Sequence, residues 1–231
     1  LKTVGLLGGM SWESTVPYYR IINRTVAETL GGLHSARLLL YSVEFQEIEQ
    51  LQHEGRWHEA GEVLVAAARA VERAGAECLV LCTNTMHKVA PQIEAATEIP
   101  LLHIADATAR RVKAAGLARV GLLGTRFTME EDFYRGRLER EHGLEVLIPG
   151  PDQRATVHQV IYQELCQGRV RDESRRSYQR IVSDLVDRGA AGVILGCTEI
   201  GLLLGQRDSD APLFDTAQIH AEEAARWALG H

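Results

Sequence analysis

Two short segments carry the side chains best suited to chemistry, "CTNTMH" from Cys82 to His87 and "GCTEI" from Gly196 to Ile200. Each follows an apolar run of strand character and leads into a stretch of helical period. That order puts a thiol at a helix start, where exposed backbone N–H groups favour negative charge. An unperturbed thiol near pKa 8.5 is about 3% ionised at pH 7. A helix end worth up to ~2 kcal/mol lowers that pKa by roughly 1.5 units, enough to make thiolate a substantial species. Such a group suits nucleophilic attack or proton abstraction. The remaining cysteines, Cys78 and Cys166, lie in apolar strand and helix patterns and read as small core residues. Cys78, Cys82 and His87 find no second cluster to complete a four-ligand site, so no metal is expected. His87, directly after the first turn, is a candidate neighbour of the site; His34, His53, His58 and His142 read as surface or helix-end residues.

A second pair of turns is rich in glycine. "GLLGGMSWEST", starting at Gly5, closes a strand and opens a helix with Ser11 at the N-cap position. Its glycines let backbone approach a ligand, and free N–H groups at the helix start favour an anion, most simply a carboxylate. Met10 and Ser11 are therefore candidate substrate contacts, and Trp12 a candidate pocket wall. The spacing of Gly5, Gly8 and Gly9 does not fit a dinucleotide fingerprint, and no phosphate-loop lysine follows. The echo of this turn, "GTRFTMEE", contains a capping-box pattern from Thr128 to Glu131, which predicts a helix start there with Thr125 just before it, facing the ligand.

The elements that position these turns alternate between apolar strand runs and helical periods. "TVGLL" leads to a helix with Tyr19, Ile22, Val26 and Leu30 on its buried face. "ARLLLYSV", "ECLVLC", "PLLHI", "ARVGLLG", "EVLIP", "GVILGC" and "PLFD" follow, with helices between. Near-continuous apolar strands separated by helices imply parallel sheets covered on both faces. An internal repeat sharpens this. "GLLGG" at Gly5 returns as "GLLGT" at Gly121, an offset of 116; "AGAECLVLCTNT" returns as "RGAAGVILGCTE", with Gly75 on Gly189 at 114; "PLLHIAD" returns as "PLFDTAQ", with Pro100 on Pro212 at 112. Three echoes in one order predict an α/β fold of two pseudo-symmetric, Rossmann-like domains, each a parallel sheet flanked by helices, with the active site in the interdomain cleft beyond the strand C-termini. The expected division is residues 1–98 with 211–231, and 99–210.

Composition excludes several classes. The 231 residues are 45% hydrophobic and 24% charged, as in globular proteins, and no apolar run approaches the roughly 20 residues of a membrane span. With 31 acidic against 25 basic residues and no dense basic run, nucleic acid is not an expected partner. Four scattered cysteines do not make a disulfide framework, and nothing at the start resembles a signal sequence, so a cytoplasmic location is expected.

Taken together, "GLLGGMSWEST", "TNTMH", "LGTRFTM", "GCTEI" and "FDTA" resemble the aspartate/glutamate racemase family along essentially the whole chain. The resemblance implies two pseudo-symmetric α/β domains, a homodimer, a small amino-acid substrate, and no cofactor, neither pyridoxal phosphate nor metal. It also implies inversion of an amino-acid Cα by two groups on opposite faces, usually cysteines in a "CNT" turn and a "GCT" turn.

This chain departs from that pair, and its own repeat shows where. Laying Gly75 on Gly189 without a gap puts Cys82 on Gly196 and Thr83 on Cys197. A one-residue shift on a strand reverses a side chain's face, so Cys82 is expected in the sheet packing and Thr83 at the ligand. Cys197 is thus assigned as the acid/base thiol and Thr83 as the weaker opposing group, with Gln52, Asn84, Thr85, Thr125, Thr198 and Glu199 as further substrate contacts; Glu199 would receive the ammonium. A threonine hydroxyl donates a proton but is a poor base, so an apparent preference for L substrates would be kinetic. The function expected is racemisation of L-aspartate and L-glutamate. The alternatives are a decarboxylase or cis–trans isomerase of the same fold, and a two-lobed amino-acid-binding protein without catalysis.

Overall fold

The structure is a computed structural model, and it describes residues 1–230. By internal contacts the chain divides into two compact units, Leu1–His103 joined by the segment from His220 onward, and Ile104–Ile219.

In the first unit the order is β1 (Thr3–Gly8), α1 (Trp12–Leu30), β2 (Arg37–Ser42), α2 (Phe45–His53), α3 (Trp57–Arg73), β3 (Cys78–Leu81), α4 (Ala90–Glu94) and β4 (Leu101–Leu102). The second contains α5 (Ile104–Ala114), β5 (Arg119–Gly124), α6 (Arg126–Glu130), α7 (Arg135–Arg140), β6 (Glu145–Leu147), α8 (Pro151–Gln163), α9 (Asp172–Asp187), β7 (Val193–Gly196), α10 (Ile200–Leu203) and β8 (Leu213–Asp215). The unit boundary near the C-terminus falls inside α11 (Thr216–Leu229). Among the described residues the strands form two four-stranded parallel sheets, ordered β2-β1-β3-β4 and β6-β5-β7-β8. The two-unit parallel α/β expectation holds, down to the same strand order in both halves. No helix among the described residues is long and apolar enough to cross a membrane.

The repeat is visible in the ladders. Leu7 pairs with Leu81 in the first sheet and Leu123 with Leu195 in the second, so the ungapped alignment of the two halves is also the hydrogen-bonding register. The repeated glycines have a packing cause. A Cβ at Gly5 would lie 2.3 Å from Val71 of α3, and one at Gly121 would lie 2.9 Å from Leu185 of α9. Glycine there brings a helix down onto the central strand, giving a function to residues that the sequence alone assigned to ligand approach.

Each sheet buries its faces in its own core. Leu7, Leu79 and Leu81 pack with Leu64, Ala67 and Ala68 of α3, while Leu122, Leu123 and Ile194 pack with Tyr178, Ile181 and Leu185 of α9. On α1 the buried face is Ser14, Thr15, Tyr18, Ile22 and Val26; Ile22 and Val26 are as expected, whereas Tyr19 and Leu30 are exposed and Tyr18 takes the inward place expected of Tyr19. The cause is a polar anchor. His220 donates from Nε2 to the Leu102 carbonyl (2.7 Å), which leaves Nδ1 to accept from the Tyr18 hydroxyl (2.9 Å) and draws Tyr18 inward. "PLLHI" yields only the two-residue β4. Cys166 lies in a 3₁₀ turn, Leu165–Gln167, after α8, half-buried against the core.

Candidate active site

In the first unit the expected contacts gather at the C-terminal ends of the adjacent strands β1 and β3. Gly9 takes a left-handed φ of 93°, and the turn continues through Met10, 3% exposed, and a cis Met10–Ser11 peptide into α1. Ser11 occupies the N-cap position without a side-chain cap bond, and its carbonyl accepts from the Ser14 (3.1 Å) and Thr15 (2.9 Å) hydroxyls. After β3, the Cys82 N–H continues the ladder to the Leu7 carbonyl (2.9 Å), and the Thr83 N–H turns back to Leu81 (2.8 Å). Cys82 is fully buried, and burial pushes its thiol far up. Thr83, Asn84 and Thr85 follow at the strand mouth, all buried. Gln52 reaches this turn from α2, its amide nitrogen 2.9 Å from the Met86 sulfur.

His87 is the neighbour that the sequence only hinted at. Its Nδ1 donates to the Thr83 carbonyl (2.7 Å), and its ring lies 4.4 Å from that of His103, centroid to centroid. The i, i+4 spacing on the 3₁₀ turn Thr85–Val89 brings the imidazole back over Thr83 and holds that residue's backbone.

In the second unit Thr125 follows β5 and Cys197 follows β7, and these strands are neighbours with Gly124 opposite Gly196. A Cβ at Gly124 would meet the Gly196 carbonyl at 2.7 Å, so glycine lets the two chain ends close together. Thr125 is itself the cap of α6, its hydroxyl accepting from the Thr128 N–H (3.3 Å). The expected start at Thr128 is therefore three residues late; Thr128 is an inner position that bonds the cap through its hydroxyl as well (3.2 Å). Cys197, Thr198 and Glu199 form the tightest cluster. Glu199 Oε2 accepts from the Cys197 thiol (3.0 Å) and the Thr198 hydroxyl (2.9 Å), and Glu199 is 2% exposed.

That cluster reverses one expectation. Burial first, and then the Glu199 carboxylate, raise the Cys197 thiol well above its usual range. The four-residue α10 is too short to outweigh them. Cys78, the first residue of β3, is likewise pushed up to about 12 by burial. Among the described residues, Asp106, Glu141 and His142 lie close enough to offer three metal-ligand atoms. However, Arg137 binds both oxygens of Asp106 (2.7 and 2.8 Å) and pairs with Glu141 (3.3 Å), while His142 bonds Asp106 (2.8 Å). This is an ion-pair network joining α5 to α7 and the turn after it, in which Arg137 already balances the two carboxylates.

Equivalent strand ends in two like units, one carrying Thr83 and the other Cys197, invite comparison with known proteins. The model of the Asp/Glu/hydantoin racemases matches residues 7–224. The chain belongs to this family. A crystal structure of a candidate Asp/Glu racemase from Yersinia pestis is 55% identical, covering 99% of this chain and 100% of that one with a TM-score of 0.92. An aspartate racemase homologue from Pyrococcus horikoshii OT3 is 34% identical over 99% and 100%, with a TM-score of 0.85. A broad specificity amino-acid racemase of Bacillus subtilis (strain 168) is 23% identical over 99% of each chain. In this family member the "GCT" turn keeps its cysteine, and the equivalent position of the first unit is Thr83.

Proposed function

We propose that this racemase-family protein inverts the Cα of L-aspartate and L-glutamate, without a cofactor, using Cys197 and Thr83. The observation that carries the reading is the shared register: Thr83 and Cys197 each stand two residues beyond the paired leucines Leu81 and Leu195. Cys197 removes the proton of the L enantiomer, and Thr83, through water where needed, returns one to the opposite face. Met10, Ser11, Gln52, Asn84, Thr85, Thr125 and Thr198 bind the substrate in this reading, consistent with the place of all but Gln52 just beyond strand C-termini and with the reach of Gln52 from α2 to Met86.

The protein acts as a homodimer in the same reading. Trp12, Val16 and Tyr19 make an exposed i, i+4, i+7 stripe on α1, and Leu40 and Tyr41 are exposed on β2, an edge strand with its outer backbone groups open to pairing. The decisive test of function is deuterium uptake. Purified protein in heavy water should label the Cα of aspartate and glutamate; binding of both without label on any amino acid would overturn the proposal.

A further inference from the structure

A base must have somewhere to put its own proton, and the geometry of the second unit supplies a place. We propose that Glu199 is the proton partner of Cys197, its carboxylate taking the Sγ–H proton as the sulfur takes the Cα proton of the substrate. The inference rests on the racemase reading and deepens it. The sulfur and Glu199 Oε2 are 3.0 Å apart, both residues are buried, and Thr198 fixes the same oxygen at 2.9 Å. Thiolate and carboxylate side by side repel, so the pair holds one negative charge and moves it from oxygen to sulfur by passing one proton along an existing hydrogen bond.

The step balances. The S–H bond breaks as O–H forms on Glu199; Cα–H breaks as a new S–H forms; the electron pair stays on Cα. The Thr83 hydroxyl then protonates the opposite face and regains its proton from water, and Glu199 releases one to water when the D product leaves. Glu199 thus acts through Cys197 as a positioning residue, in place of the ammonium-binding role that its spacing alone suggested.

Glu199→Gln separates these roles, because glutamine keeps an acceptor for both donors but takes no proton. Two readouts are needed: steady-state Cα exchange, and the pH midpoint of Cys197 alkylation by iodoacetamide, followed by peptide mass and read without substrate. Cys166 and Tyr178 of α9 also face this sulfur and are unchanged in the variant. The expected result is a lower alkylation midpoint, since a neighbouring negative charge is gone, together with kcat down by about 10²-fold, at the low end of acid/base contributions, and KM within about twofold. More thiolate with slower exchange is the signature of a lost proton partner. Glu199→Asp should recover part of kcat. A lower midpoint with unchanged or faster exchange would overturn the proposal, because thiolate alone would then suffice. So would an unmoved midpoint with a raised KM, which would return Glu199 to the ammonium. Wild-type protein that shows no exchange would sink the racemase reading alone, since the midpoint shift still tests the pair.

Discussion

Removing the sulfur of Cys82 and removing that of Cys197 should have opposite consequences. Cys82 is fully buried just after β3, and the register of the two units puts Thr83, not Cys82, at the position equivalent to Cys197. Cys82→Ala deletes one heavy atom from a packed site, comparable to losing one methylene. That is worth about 1 kcal/mol once the small cavity is included, or about 3 °C in melting midpoint for a chain of this size. Cα exchange should stay within about twofold of wild type. Cys197→Ala removes the group assigned to take the proton, and exchange should fall by about 10²–10⁴-fold, which is ~2.7–5.5 kcal/mol of barrier. The assay is deuterium incorporation into L-aspartate and L-glutamate in heavy water, followed by mass, alongside a thermal melt of each variant. If Cys82→Ala loses exchange as severely as Cys197→Ala while its melt moves only a few degrees, Thr83 is not the opposing group and the register argument fails.

Thr83→Cys should place a second effective base at the weaker face and make D-to-L conversion easier to detect; no gain with intact folding would remove Thr83 from the proton path. Exhaustive chelation and a carbonyl-trapping reagent should leave turnover unchanged, and activity lost to either and restored by added metal or pyridoxal phosphate would overturn the cofactor-free mechanism. Light scattering should give twice the mass of one chain, and Trp12→Glu should shift it toward the monomer by burying a charge in the apolar stripe; a wild-type monomer at working concentration would reject the dimer.

Much of the fold was legible because the repeat constrains it twice. Three echoes with offsets of 116, 114 and 112 name the same strand in both halves, and the parallel ladders pair Leu7 with Leu81 and Leu123 with Leu195 accordingly. What periodicity could not read was any feature set by a partner distant in sequence. The face of α1 turns on a hydrogen bond from Tyr18 to His220, 202 residues away, and hydrophobic spacing alone fits Tyr19 as well as Tyr18. The purpose of Gly5 was hidden in the same way, since its reason is Val71 on a helix that comes later in the chain.

At the candidate site the residue types were readable and their electrostatics were not. A strand–turn–helix pattern predicts a lowered thiol, because it counts backbone N–H groups and leaves out burial and neighbouring charge. In the folded chain those two omitted effects dominate at Cys197, and the nearer cause sits only two positions along, in Glu199. A thiol followed two residues later by a carboxylate is therefore the more informative pattern here. It marks a sulfur whose own proton already has an acceptor within hydrogen-bond reach. Among the described residues no carboxylate bonds the Thr83 hydroxyl, and His87 binds its backbone carbonyl. On the proposed pairing the asymmetry between the two units is larger than the exchange of a thiol for a hydroxyl: a carboxylate bonds the Cys197 thiol, whereas His87 bonds only the backbone of Thr83.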